Sequence, residues 1–239
     1  MISVQIIEQI ITLITFVFAY LFSVTLAGAF RAWYTNKVGD SSAAASGLLT
    51  LNPIAHIDPL GLLFIVLFRF GWGKTIPIDA DSITGRFRPL KLVFAYLSDA
   101  VAYVAIAIAG LVALLAMFGQ RIFHVIIPVL NEEVFSHAKI AHLFPQYSSL
   151  SISVGLILIA IIYLNTILAV ISTLVSVSRA FVTHYVTKHP DKWKDAQALF
   201  LIVPLFICLL LSFFLRAIVI NIIFYAGFIL AHLFGVVSL

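Results

Sequence analysis

The chain carries little charge and almost no cysteine. Lys, Arg, Asp and Glu make up only 10% of its 239 residues, and Cys208 is the single cysteine. A soluble domain cannot cover its surface with so few charged groups, which excludes an ordinary water-soluble globule. One thiol excludes an intrachain disulfide and a cysteine metal cluster; Cys208, inside an apolar run, reads as a small core or lipid-facing residue. Basic residues are also missing ahead of Arg31, so the opening apolar stretch has no charged leader region and reads as a retained helix. Internal repeats, low-complexity tracts and a second domain are absent too, so residues 1–239 read as one transmembrane domain. The formal net charge of +4 is no nucleic-acid signature, and no nucleic-acid partner is expected.

What the chain has is apolar surface: 63% hydrophobic residues and a mean hydropathy of +1.16. That composition predicts an integral, multi-pass membrane protein whose first partner is the lipid bilayer. The spans are expected at about Ile6–Phe30, Leu92–Phe118 and Ser151–Val177, with a last apolar block, Leu199–Leu239, too long for one crossing at ~20 residues per helix. Arg216 near its middle splits that block into a hairpin, for about five transmembrane helices in all. The run Leu60–Phe70 is too short to cross and reads as a re-entrant or half-buried segment. Thr50-Leu51 and Ile76–Ile78 are β-prone and flanked by Pro and Gly, which predicts short strands at the membrane surface.

Eleven basic residues fall in segments 31–91 and 179–198, against three (Arg121, Lys139, Arg216) on the other side. By the positive-inside rule the loops after the first and third spans are cytoplasmic, and the N-terminus is outside.

One stretch breaks the apolar pattern. Thr50-Leu51-Asn52-Pro53-Ile54-Ala55-His56-Ile57-Asp58-Pro59-Leu60-Gly61 is dense in turn-forming and chemically able residues, and Phe70-Gly71-Trp72-Gly73-Lys74-Thr75-Ile76-Pro77 follows it. Upstream stand Gly39-Asp40 and Gly47-Leu48-Leu49. This composite pattern, GD…G-x-LTLNPxxHxDPxG…FGWxKxxP, resembles the site-2 proteases, the M50-type intramembrane zinc metalloproteases, with Leu48 where an arginine is usual. The resemblance implies an all-α polytopic fold of site-2 protease type, with a small cytoplasmic-side strand or turn element and a re-entrant segment. For active members it also implies zinc.

The zinc chemistry is where the chain departs. Two histidines one helical turn apart bind the metal and the glutamate between them activates its water, hence HExxH. Counting back from Gly39-Asp40, the matching positions are Ala27-Gly28-Ala29-Phe30-Arg31, with Ala32 and Trp33 keeping the register. Both histidines and the glutamate are gone, and the guanidinium of Arg31 cannot ligate a metal. The family's third ligand, an aspartate followed by glycine on a late helix, is also missing from the stretch Asn165–Arg179, although Asn165, Leu168 and Ala169 match. The glycine-proline and asparagine pattern of the helix between is replaced by Leu97-Ser98-Asp99-Ala100-Val101-Ala102. No zinc cofactor is therefore expected.

His56 and Asp58 belong, in the family, to the loop after the zinc helix and are not ligands. Two donors at i, i+2 cannot complete a site, and Asp58 before Pro59 suits an Asx turn. Asp99 inside a helix is costly unless paired, and Arg31 is its candidate partner in an intramembrane ion pair. The far-side loop 119–150 holds His124, Glu132, Glu133, His137 and His142, at spacings that suit a solvated loop better than a metal site. His184, His189 and Lys192-Trp193-Lys194 read as a headgroup anchor.

The leading expectation is a catalytically inactive homologue, a scaffold or regulatory protein that binds a transmembrane segment or partner subunit. Its binding motif would be Thr50, Asn52, Pro53, His56, Asp58, Pro59, Gly61, Gly71, Trp72 and Lys74, with the small Ala27–Ala29 helix face available to a neighbouring helix. Alternatives are an intramembrane metallopeptidase recruiting metal through His56 and Asp58, and a transporter or channel component using Asp99 and Arg31.

Overall fold

The computed structural model describes residues 4–68, 71–122, 126, 141–142, 144–188 and 218–236. Their elements run in the order α1 (Val4–Lys37), α2 (Ser42–Ala45), α3 (Pro53–His56), α4 (Pro59–Phe68), α5 (Arg88–Phe118), a 3-10 turn at Gln120–Ile122, α6 (Ser149–Lys188) and α7 (Ile218–Leu233). In lipid every backbone polar group needs an internal partner, so even the Ile- and Val-rich runs of this chain adopt helix. Helices α1, α5 and α6 contain 34, 31 and 40 residues. At ~1.5 Å per residue each exceeds the ~30 Å hydrocarbon layer. Three helices are thus long and apolar enough to cross a membrane, and the protein is an all-α, multi-pass membrane protein.

Local chemistry sets the helix ends. Pro89 stands in the first turn of α5, where its missing N–H costs nothing. Arg88 folds back there, donating from Nε to the Ile83 carbonyl and from Nη2 to that of Ala80, while Lys91 Nζ donates to Thr84 O. Gly119 ends α5 in the left-handed region (φ 68°) and donates its N–H to Leu115 O.

The three long helices form one bundle whose directions can be read from paired contacts. Arg31 meets Asp99 and Tyr34 meets Phe94, so α1 and α5 are antiparallel. Phe118 lies against Gly155 and Gly110 against Ile162, so α5 and α6 are antiparallel as well. Hence α1 and α6 run parallel, with the Asn165 amide donating to Ser23 Oγ at 2.7 Å. Phe16, Tyr20 and Val24 of α1, Leu111 and Leu114 of α5, and Ile159 and Ile162 of α6 fill the centre. Ile223 and Ala231 of α7 and Ile65 of α4 close it. Ile7, Ile10, Ile14 and Phe18 of α1 point outward as exposed apolar side chains, as a lipid-facing stripe should.

Of the expectations, that of surface strands changes. About five transmembrane helices were expected; the described residues contain three of that length plus the shorter apolar α7, and Cys208 and Arg216 lie outside them. The expected surface strands are absent among the described residues, where one antiparallel bridge, Ile57 with Gly73, stands instead. Pro53, Pro59 and Pro77 have no N–H to give to a ladder, and the Thr50 carbonyl is taken by the His56 ring. Finally, the run from Leu60 forms the 10-residue helix α4, which begins at Pro59 and ends at Phe68.

Candidate functional site

The Asn/His/Asp stretch is a sequence of capped turns. Asn52 caps α3 by accepting the Ile54 N–H on Oδ1 at 3.1 Å, and Pro53 occupies the first helical position. Thr50 Oγ1 accepts the Asn52 N–H at 3.1 Å. The His56 ring turns back, donating from Nε2 to Thr50 O at 2.8 Å. Asp58 does for α4 what Asn52 does for α3: its Oδ1 accepts the Gly61 N–H at 2.9 Å, with Pro59 opening the helix.

The second motif closes against the first. Lys74 donates its N–H to His56 O at 2.8 Å, beside the Ile57–Gly73 bridge. Gly61 and the Gly71-Trp72 backbone touch so closely that a Cβ on Gly61 would collide with Trp72 O, and one on Gly71 with Gly61 O. Glycine is required there by backbone-to-backbone approach. Tyr20 of α1 donates its hydroxyl to Trp72 O at 2.8 Å, and the Trp72 ring stacks at 4.9 Å on Phe64. These contacts join Asn52, Pro53, His56, Asp58, Pro59, Gly61, Gly71, Trp72 and Lys74 into one folded unit leaning on α1.

Beneath the unit lie Ala27, Gly28 and Arg31, the positions that the resemblance aligns with a zinc helix. A Cβ on Gly28 would run into His56 Nδ1, so the imidazole fills the volume that a side chain at position 28 would need. Ala27 is fully buried, and Arg31, only 4% exposed, sits one turn further along. Its Nη1 lies 2.5 Å from Asp99 Oδ2. This contact places opposite charges on α1 and α5 in register, and Asp99 is partly buried. Arg31 Nε and Nη2 and His56 Nδ1 are buried without hydrogen-bond partners. Within the small Ala27–Ala29 face expected to be free for a neighbouring helix, Gly28 is thus covered by the chain's own His56.

These residues do not fit a zinc ion. Positions 27, 28 and 31 offer no lone pair, His56 Nε2 donates to Thr50 O while its Nδ1 is packed against Gly28, and Asp58 Oδ1 accepts the Gly61 N–H. Among the described residues no three His, Cys, Asp or Glu side chains gather as a metal site would require. Ser98 is buried and donates to Ala95 O, so it offers no nucleophile.

Further residues have structural tasks that the motif reading did not assign. Asp40 is buried and ties two loops together, accepting from Ser42 N at 2.9 Å on Oδ1 and from Asp79 N at 2.9 Å on Oδ2. Tyr20, Ser23 and Ser172 gave no signal, because a hydroxyl in an apolar helix looks the same whether or not it has a distant partner. Outside the membrane helices, Asp79 has its carboxyl held below the ordinary aspartate range by the Ser82 hydroxyl and then the Asp81 N–H. Of the far-side candidates, His124, Glu132, Glu133 and His137 lie outside the described residues, as do His189 and Lys192–Lys194; His142 is described, and His184 falls within α6.

Comparison with known proteins gives one informative match. A 57-residue stretch is 42% identical to "Putative zinc metalloprotease YwhC" of Bacillus subtilis (strain 168), covering 24% of this chain and 26% of that protein. The chain therefore spans about a quarter of the length of the relative it matches. No family model matches the chain. No solved structure matches it either.

Proposed function

We propose that this protein is a catalytically inactive membrane protein of site-2 protease type, a pseudoprotease whose remaining role is to bind a transmembrane segment or partner subunit. The observation that carries this reading is the refilled centre: His56 against Gly28, and Arg31 against Asp99, in the space where a zinc helix would hold its metal. The partial likeness to a zinc metalloprotease supports the ancestry, and the donor set argues against the chemistry. With Asp99 and Arg31 neutralising each other, the transporter reading loses the uncompensated charge that suggested it.

The binding surface follows from which motif residues are exposed. Leu51 is 67% and Ile54 77% exposed, on a loop that the caps at Asn52 and Asp58 hold rigid. Rigid, apolar and at the edge of the bundle, this rim suits contact with an apolar segment of a partner. By the basic-residue bias the rim faces the cytoplasm.

The re-entrant reading of α4 draws support from α1 used as a ruler. His56 lies at Gly28, Gly73 at Val24 and Trp72 at Tyr20, so the segment returning through 71–74 follows α1 about two turns (~12 Å) away from its basic end. Tyr20 lies near the middle of the first apolar span, where a non-helical carbonyl needs a protein donor, and the Tyr20 hydroxyl is that donor.

Two measurements test the proposal. Purified protein should contain no stoichiometric zinc; zinc that disappears in His56→Ala and Asp58→Asn variants would establish the metallopeptidase instead. A photocrosslinker at position 51 or 54 should capture a discrete membrane protein in native membranes, and crosslinks to lipid alone would sink the binding role.

A further inference from the structure

The turn into α5 exposes an aromatic ring at a position that ill suits one. Phe87 adopts the left-handed conformation (φ 65°, ψ 28°), the one non-glycine residue with positive φ among the described residues. A bulky side chain is strained there, and glycine or asparagine would hold the same turn with less strain. The ring is 62% exposed, and the Arg86 guanidinium lies 5.0 Å from its centroid. Burial within the chain therefore does not offset that strain.

The rest of α5 shows what surrounds the ring. Phe87, Leu90, Phe94, Leu97 and Val101 recur at i, i+3, i+7, i+10 and i+14, which is one face of a helix. Four of them are exposed and Leu97 is half-buried, whereas Ala95, Ala102 and Tyr103, away from that face, are buried. Val101 stands within the apolar part of the span, so the face meets lipid there and continues without a break to Phe87. The 31 residues of α5 extend ~46 Å, past the ~30 Å hydrocarbon layer, which brings the Phe87 end to the headgroups. The adjoining end of α1 has the same character: Tyr34 packs on Phe94 at 5.1 Å, and Lys37 Nζ lies 5.5 Å from the ring of the exposed Trp33. Aromatic rings beside cations mark a bilayer–water boundary.

The cations of the turn are not equivalent. Arg88 is held by the Ile83 and Ala80 carbonyls and faces Asp81 at 3.6 Å, and Lys91 donates to Thr84 O. Arg86 is exposed and has no carboxylate partner among the described residues.

We propose that residues 85–94 form a membrane-surface anchor that selects anionic phospholipid. Phe87 and Leu90 enter the bilayer beside the headgroups, and the Arg86 guanidinium takes the phosphate of a lipid with net negative charge. One lipid molecule supplies both the apolar chain that the Phe87–Leu90 face needs and the anion that Arg86 lacks. A zwitterionic headgroup sets its own cation beside the phosphate, so the anionic one is preferred. A partner protein on this face would have to displace the lipid that covers its continuation at Val101. The inference concerns the lipid around α5 and is independent of what the rim at Leu51 and Ile54 binds.

Photocrosslinking tests it. The full chain, with photoreactive benzoylphenylalanine in place of Phe87, is reconstituted in phosphatidylcholine vesicles containing a minority of phosphatidylglycerol. Irradiation and mass spectrometry should find lipid adducts at position 87. Phosphatidylglycerol should be enriched roughly fivefold over its share of the bilayer, the weight of one basic residue at an anionic surface. Arg86→Gln should return that share to the bulk value without lowering the total lipid adduct, because the ring still inserts. Adducts without anionic enrichment, or enrichment that survives Arg86→Gln, would overturn the proposal. So would a crosslinked second copy of the chain, or a discrete protein captured by the same probe in native membranes. Phe87→Asn fits the left-handed turn, so it should unfold no earlier on heating while retaining severalfold less phosphatidylglycerol in native mass spectrometry. Earlier unfolding with unchanged lipid retention would show that the ring serves the fold alone and would sink the anchor.

Discussion

The rim and the centre of this site have had opposite fates. In the rim, from Thr50 to Gly61 and from Gly71 to Lys74, the residue types of a protease-like pattern persist, and nearly all of them are occupied in holding backbone. Asn52 and Asp58 cap helices, His56 ties to Thr50, and Gly61 and Gly71 permit two chains to touch. In the centre, at Ala27, Gly28 and Arg31, no residue could hold a metal, and contacts to His56 and Asp99 close the space. On the proposed reading, the difference teaches that a motif survives loss of catalysis where its residues fold the loop. Where their only task was chemistry, packing takes over.

The comparison breaks most sharply at the ion pair. Asp99→Leu leaves the Arg31 charge buried and uncompensated, and a loss of about 3–5 kcal/mol in unfolding free energy is expected. The Arg31→Met, Asp99→Leu double variant should recover most of that loss in a detergent unfolding titration, because neither charge then lacks a partner. Additive losses would mean that the two residues do not act as a pair.

In the rim, Gly61→Ala forces a Cβ into the Trp72 carbonyl, where no side chain can swing aside, for a loss of about 2–3 kcal/mol. Gly28→Ala meets only the His56 ring, so its cost should be smaller, about 1–2 kcal/mol, and largely absent when made together with His56→Ala. Equal effects at the two glycines would erase the distinction between backbone contact and side-chain filling. Tyr20→Phe removes the donor to Trp72 O and should cost about 1 kcal/mol while speeding hydrogen exchange in residues 71–74.

The smallest effect is at Asp79, which is solvent-exposed. Its folded carboxyl titrates below the unfolded one, so the turn it holds is stabilised above the ordinary aspartate range and loses that support as pH falls through the lowered value. Exchange protection of the Asp81 amide should follow that course, and Asp79→Asn should abolish the pH step.

Much of the fold was legible because lipid leaves little choice. Apolar runs long enough to cross must be helical, and the starts of α5 and α6 lie within a few residues of where hydropathy and flanking charge put them. The lack of an HExxH pattern at Ala27–Arg31 was equally plain, since residue identities need no structure to be noticed. The strands were misjudged at Thr50-Leu51 and Ile76–Ile78 because β-propensity says nothing about whether a partner strand can reach, and prolines and side-chain bonds intervene there. The closing of the centre could not be read at all. Whether Ala27–Gly28 faced a neighbouring protein or the chain's own loop depended on residues 28 apart, His56 and Gly28, coming into contact.

By itself, then, the sequence determined that this is a multi-pass helical membrane protein with a capped, glycine-punctuated loop. Hydropathy, capping and lone-pair chemistry are properties of residues and short segments. Only the tertiary structure decided that His56 fills the space at Gly28 and that Arg31 meets Asp99 across two helices. Those outcomes rest on how helices pair and slide against one another, which no local pattern encodes.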